Sequence, residues 1–329
     1  MKKRLIPIFA LTLILIGFGL YMSPLHLQGF LSTKQSQSCK DDRLRGAVIL
    51  LTMDELADPT PDIEIIKKIM INAKSLFSYA TYDLSKIGFY DPVVIVATPT
   101  MLERRDNGVY LVREEITKKF YEDHGDIADF ILIYENFPNA ENSQNYTPVK
   151  SIIKGIGYEI FNDTERFGSE GKLRGVLEMN ELDRLPFGDY LSPARGVVHE
   201  LGHTWCCVVG DVFSKGAGEA QLEIVNSKTH WYIGLDPLDT VRDPMGSNKW
   251  IDNGDGTFHI DDYSIEEQNR YHKFILYFMG LLKRNEYNKK YPVYDAGIDG
   301  SNTSTATFYK NVSINDIIRV EGKRTCVQN

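Results

Sequence analysis

The stretch SPARGVVHELGHTWCCVVG, residues 192–210, decides how this chain is read. Ser192 followed by Pro193 is a helix start, because proline lacks the N–H that a first turn leaves unpaired and its φ is already helical. The residues that follow are apolar enough to be buried, and Gly210 stands where a helix reaching Val209 would end. On such a helix His199 and His203 leave the same face one turn apart, so both imidazoles can reach a single metal ion. Glu200 points to one side of the pair, where a carboxylate can hold a water against the metal and take its proton. The bland alternative is a core helix with two satisfied histidines. The cap, the apolar backing and the position after a set of strands favour the metal.

Upstream, Gly46–Met53 (GAVILLTM), Pro92–Ala97 (PVVIVA) and Asp129–Tyr134 (DFILIY) are apolar runs of strand length, expected as buried strands of one sheet. Between the first two, Thr60-Pro61 opens a helix. Its apolar residues Ile65, Ile69, Ala73, Leu76, Ala80, Leu84 and Ile87 recur at helical spacing until Gly88. A long amphipathic helix between two buried strands is a βαβ unit and implies a parallel pair. Asn139–Tyr146 (NAENSQNY) reads as a polar loop, and Ser151–Phe161 and Leu173–Met179 as a hairpin or an edge strand. Tyr263–Leu282 reads as a second long helix, and from Lys283 onward the chain is polar with scattered strand-like pieces.

Here the chain resembles the zincin metallopeptidases, through the H-E-x-x-H motif that His199, Glu200 and His203 supply. The resemblance implies an α/β (α+β) fold: a mixed, twisted sheet with an antiparallel edge strand above the active-site helix, a backing helix, and a mostly irregular or helical C-terminal subdomain. Leu173–Met179 would be the edge strand that aligns substrate by strand addition, and the helix from Asp62 to Ile87 the backing helix. In the metzincin branch a glycine and a third histidine follow the second histidine by three and six residues. Cys206 and Val209 stand there, which excludes that ligand pattern. Residues 150–282 are also similar to a group of secreted bacterial metallopeptidases with the blocks HELGH-x-W, His-Trp, a Met-Gly turn, Asn-x-Asp-Gly-x-Phe and Tyr-x-Met-Gly-Leu in this order. The matching positions are His199–Trp205, His230-Trp231, Met245-Gly246, Asn253–Phe258 and Tyr277–Leu281. By that resemblance Met245 forms a packing floor beneath the metal; its plain alternative is an ordinary turn residue.

A catalytic zinc takes three protein ligands and a water, so a third must come from further along. His230 is the first choice, with Asp211, Glu219, Glu223, His259 and Asp261 as rivals. Glu219 and Glu223 lie where gluzincins place a carboxylate ligand. Gly256–Asp261 misses the aspzincin pattern Gly-Thr-x-x-Asp by one residue. Tyr232, Tyr263 and His259 are available as donors to a developing oxyanion. The Asp252–Asp255 loop is more simply a turn than a calcium site.

The expected activity is zinc-dependent endopeptidase chemistry on peptide or protein, with Glu200 as general base. The alternatives are a cell-surface binding or adhesion protein that keeps fold and metal without turnover, and hydrolysis of another exported amide such as cell-wall peptide. Glu200 speaks against the binding protein, since a purely binding descendant could lose it. The net charge of −8 and the absence of a basic stripe argue against a nucleic-acid partner.

Lys2, Lys3 and Arg4 precede an apolar run from Leu5 to Met22 that ends without a small-x-small site. Residues 1–31 are therefore a signal peptide or an N-terminal membrane anchor, placing the bulk of the chain outside the cytoplasm, secreted or surface-held. Residues 32–43 read as a linker, 44–284 as the metallopeptidase domain and 285–329 as a C-terminal extension. The cysteines at 39, 206, 207 and 326 lack the spacing of a structural zinc cluster. Cys39 and Cys326 are a candidate bridge in an oxidising compartment, and Cys206 and Cys207 read as small buried hydrophobes on the motif helix.

Overall fold

The computed structural model describes residues 40–56, 58–141, 143–184, 188, 190–209, 224–226, 229–261, 269–285, 288–297 and 301–327. Strand β1, Arg43–Thr52, is buried over its last seven residues, the pattern of a strand covered on both faces. Helix α1, Thr60–Ala80, follows, burying Ile66, Ile69, Ala73, Phe77 and Ala80 along one face. It stops earlier than its apolar spacing suggests. The Thr81 hydroxyl donates to the Phe77 carbonyl at 2.9 Å, Tyr82 and Asp83 turn with positive φ, and Ile87 belongs to strand β2, Lys86–Phe89. Strand β3 is Val93–Val96. Both β2 and β3 pair with β1 in parallel, as a βαβ connection requires.

Helix α2, Arg113–Asp123, was not legible from the sequence, because it is charged and buries only Ile116, Thr117 and Phe120. Next come β4, Phe130–Glu135, β5, Asn145–Pro148, and β6, Gly175–Glu181. The main sheet has six strands in the order β2, β1, β4, β6, β5, with β3 also on β1. All its pairs are parallel except the last, where β5 runs antiparallel to β6. The segment around Leu173–Met179 is therefore an inner strand, and the antiparallel edge is β5, whose first two residues belong to the segment read as a polar loop. The burial explains the exchange. Val176, Leu177, Glu178 and Met179 are all buried, whereas β5 is short and polar, as exposed edges are.

Helix α3, Leu191–Gly202, carries the motif and packs against α1 on one face of the sheet, while α2 covers the other. α3 ends at His203 rather than running to Val209; Gly210 lies outside the described residues. The backbone then turns, and Cys206 and Cys207, both fully buried, are bonded to each other across a cis peptide. Cys326 is also disulfide-bonded; Cys39, its expected partner, lies outside the described residues.

Beyond the motif, β7, Val225–Asn226, and β8, His230–Trp231, form a two-stranded ladder. Strands β9, Trp250–Asp252, and β10, Thr257–Ile260, precede helix α4, Lys273–Phe278. The long helix expected over Tyr263–Leu282 is reduced to α4 among the described residues. The backbone before it is engaged elsewhere: Tyr271 N–H donates to the Ala80 carbonyl at 2.9 Å, and His272 N–H to the Asp243 carboxylate. The C-terminal residues, expected as an extension, form β11, Tyr291–Asp295, β12, Ala306–Val312, and helix α5, Ile314–Glu321. β11 and β12 join β9 and β10 in a four-stranded antiparallel sheet, so this part is largely sheet rather than irregular or helical. Its inward residues Tyr291, Val293, Ala306 and Val312 are fully buried, and contacts group Ser38–Asn329 as one unit.

At the start of that unit, Asp41 pairs with Arg174 at 2.8 Å and accepts the Trp205 indole N–H at 2.7 Å. No helix among the described residues is long and apolar enough to cross a membrane, and residues 1–39 lie outside them.

Candidate metal centre

α3 brings His199 and His203 to its C-terminal end, and β8 delivers His230 opposite them. The Nε2 atoms of His199 and His230 are 3.1 Å apart, and the three ring centroids lie 5.0 Å from one another. One ligand atom from each histidine falls within 4.8 Å of the others, so the three can hold a metal ion. Tetrahedral bonds of the usual zinc–imidazole length place neighbouring nitrogens about 3.3 Å apart, close to the His199–His230 spacing. Burial, first of all, lowers the pKa of each ring, to about 3 at His203, where the neighbouring histidines add to the effect. Neutral imidazole is the ligating form, so burial and crowding leave the triad ready for a cation.

His199 is oriented from behind, its Nδ1 2.7 Å from the Pro244 carbonyl. A ring nitrogen fixed on a carbonyl leaves the other with its lone pair free for a metal. Pro244 sits in a turn pinned by the fully buried Asp243, whose carboxylate accepts from the backbone N–H groups of Met245 and His272. In the same turn Gly246 N–H donates to the Asp243 carbonyl at 3.0 Å. Met245 is completely buried against α3 at Gly202, where an added Cβ would collide with its sulfur and with Tyr271. A glycine between the two helix histidines thus lets the methionine close up beneath them. At His203, the Tyr158 hydroxyl donates to the backbone carbonyl at 2.6 Å, and the Tyr146 ring of β5 stacks at 6.3 Å. β5 also approaches α3 at Gly196, where a side chain would strike Gln144. The antiparallel edge strand therefore runs beside His203.

Glu200 is buried, and its two carboxylate oxygens stand 4.0 Å from His199 Nε2 and 3.9 Å from His203 Nε2. Burial pushes its pKa up to about 7, where a carboxylate is poised to accept and release a proton near neutrality.

The other sequence candidates divide. His259 is on β10 with Nδ1 2.6 Å from Asn253, and neither it nor Asp261 joins the triad. Asp211, Glu219, Glu223 and Tyr263 lie outside the described residues. Tyr232 follows His230 directly, but its hydroxyl donates to the Gly297 carbonyl at 3.0 Å and accepts from Ala296 N–H at 2.9 Å. That hydroxyl is thus tied to the C-terminal part of the chain. Sequence reading missed Asp243 and Pro244 as the support of His199, and Tyr146 and Tyr158 as the partners of His203. It also missed two arginines near the site. Arg195 precedes His199 by four residues, hence by one turn of the same face, a signal present in the motif stretch itself. Arg242 immediately precedes the Asp243 turn, and its charge helps to lower the His199 pKa.

No model of a known protein family matches the sequence, and no curated protein matches it.

Proposed function

We propose that this chain is an exported zinc metallopeptidase of the zincin type that hydrolyses internal peptide bonds. The observation that carries the reading is the convergence of His199, His203 and His230 with Glu200 set between the two helix histidines and reaching no metal position itself. A three-imidazole donor set suits zinc and leaves one position open, the composition of a catalytic rather than a structural site. When bound, zinc supplies Lewis-acid polarisation of a carbonyl and acidifies water.

The remaining work falls to the chain. Glu200 takes the proton of the attacking water and returns it to the leaving amine, and its raised pKa suits both transfers. Pro244, through His199, fixes the orientation of the donor set. Among the described residues β5 pairs only with β6, so its outer edge is open to an extended peptide in the manner of strand addition, and Tyr146 brings that edge beside His203. The basic cluster at Lys2, Lys3 and Arg4 with its apolar run, and the disulfide-bonded state of Cys326, support a location outside the cytoplasm.

The test is cleavage of a mixed peptide library by the zinc-loaded full-length protein, with Glu200→Gln as the blank and products read by mass spectrometry. Internal cuts made by the wild type and lost in the variant are expected. One equivalent of bound zinc without any cleavage would sink the peptidase reading and leave a metal-bearing binding protein.

A further inference from the structure

His199 and His203 leave the end of a helix, whereas His230 stands on β8, a strand of two residues. The backbone there is held by the next residue. Trp231 is buried, its N–H donates to the Met245 carbonyl at 2.8 Å, and its ring packs edge-on against Phe274 at 6.0 Å. That fixes where the His230 ring hangs, but neither which way round it turns nor which nitrogen carries its proton, since the last torsion of a histidine is broad and two-fold. One contact bears on both. Thr229 Oγ1 lies 3.0 Å from Nδ1, while Nε2 is the atom that faces His199. Successive strand residues point to opposite faces, so Thr229 reaches the ring because it lies in the turn before β8, where its N–H donates to the Asn226 carbonyl at 3.2 Å.

We propose that Thr229 is the positioning residue of the third zinc ligand, its hydroxyl accepting from His230 Nδ1 as the ring presents Nε2 to the metal. The inference rests on the zinc centre of the reading above and not on its peptidase activity. His199 is backed by a carbonyl, which can only accept, so its proton stands on Nδ1 and its lone pair on Nε2. A hydroxyl can accept or donate. With zinc bound, His230 must offer the Nε2 lone pair, so its proton stands on Nδ1 and Thr229 accepts it. In metal-free protein the two Nε2 atoms, 3.1 Å apart, can share a proton, with His230 donating to His199 and the Thr229 hydroxyl donating to Nδ1. The same oxygen thus serves both forms of the ring, and the stiff χ1 of a β-branched residue holds it in place for either.

The test is the zinc affinity of the full-length wild type, Thr229→Val and Thr229→Ser, by competition against a chromogenic chelator, with urea unfolding of the metal-free proteins alongside. Valine keeps the shape of the side chain and loses the hydroxyl; serine keeps the hydroxyl and loses the methyl. Thr229→Val should bind zinc about tenfold or more weakly, the loss that follows removal of an outer partner from a ligating histidine, and Thr229→Ser should stay within about threefold of the wild type. Thr229 is exposed, so the unfolding midpoints should stay together and the loss of affinity should not track stability. A role in the shape of the hairpin alone predicts the reverse order of the two variants. Thr229→Val within twofold of the wild type, or Thr229→Ser weakened as much as Thr229→Val, overturns the proposal and leaves the metal centre standing. A wild type that binds no zinc removes the metal centre and the proposal with it.

Discussion

His230→Ala is the substitution on which the metal centre turns. His230 comes from β8, remote in sequence from α3, yet its Nε2 is 3.1 Å from that of His199, near the roughly 3.3 Å of two tetrahedral zinc ligands. Little rearrangement is needed to load the site, so the ligand should contribute its full share of the binding energy. Zinc held by four protein ligands is worth about 10–16 kcal/mol, or roughly 2.5–4 kcal/mol for each. At 1.4 kcal/mol per factor of ten, losing one ligand should weaken affinity roughly a hundredfold to a thousandfold. Competition against a chromogenic zinc chelator measures this directly, with His259→Ala as the control. His259 is a histidine of the same region held by Asn253 at 2.6 Å, away from the triad. The control should stay within about threefold of the wild type. A His230→Ala protein that binds zinc as tightly as the wild type would refute the three-histidine site and return the third position to another residue.

Gly202→Ala should destabilise the fold by about 1–3 kcal/mol, because the new methyl meets the Met245 sulfur and Tyr271 in a filled core; urea unfolding checks it, and an unchanged midpoint would remove Met245 as the floor. Asp41→Ala should cost about 2–4 kcal/mol in the same assay, since it leaves the Arg174 guanidinium and the Trp205 indole N–H without their acceptor. Glu135, fully buried at the end of β4, has its pKa pushed up to about 9 by burial and by the charge of Glu178. The folded state therefore holds a proton that the unfolded chain releases near pH 4.5, so this contribution is complete below that pH and is lost as pH rises toward 9. Unfolding free energy should fall between pH 5 and 8 by a few kcal/mol at most, and Glu135→Gln should flatten the slope; identical slopes would refute the assignment.

The chemistry carried by neighbours in the chain was legible before any fold was known. Two histidines four apart on an apolar helix, a glutamate beside the first, and βαβ punctuation around Thr60-Pro61 all follow from helix and strand periodicity, and each depends on a few consecutive residues. His230 could be named as a ligand, but only among rivals, because a residue on β8 reaches α3 through packing rather than spacing. Element lengths were the weaker part. α1 and α3 both stop short of where their apolar patterns run, since α1 gives way to a turn at Tyr82 and Asp83 and α3 ends at its second histidine. The edge strand was misplaced for a related reason. β6 looks like an edge by its glycine-bounded context, and β5 looks like a loop by its polarity, yet burial of β6 between β4 and β5 depends on long-range pairing. The same holds for the support of the site. Asp243, Pro244, Tyr146 and Tyr158 meet the histidines through contacts between residues distant in the chain, which no local pattern announces.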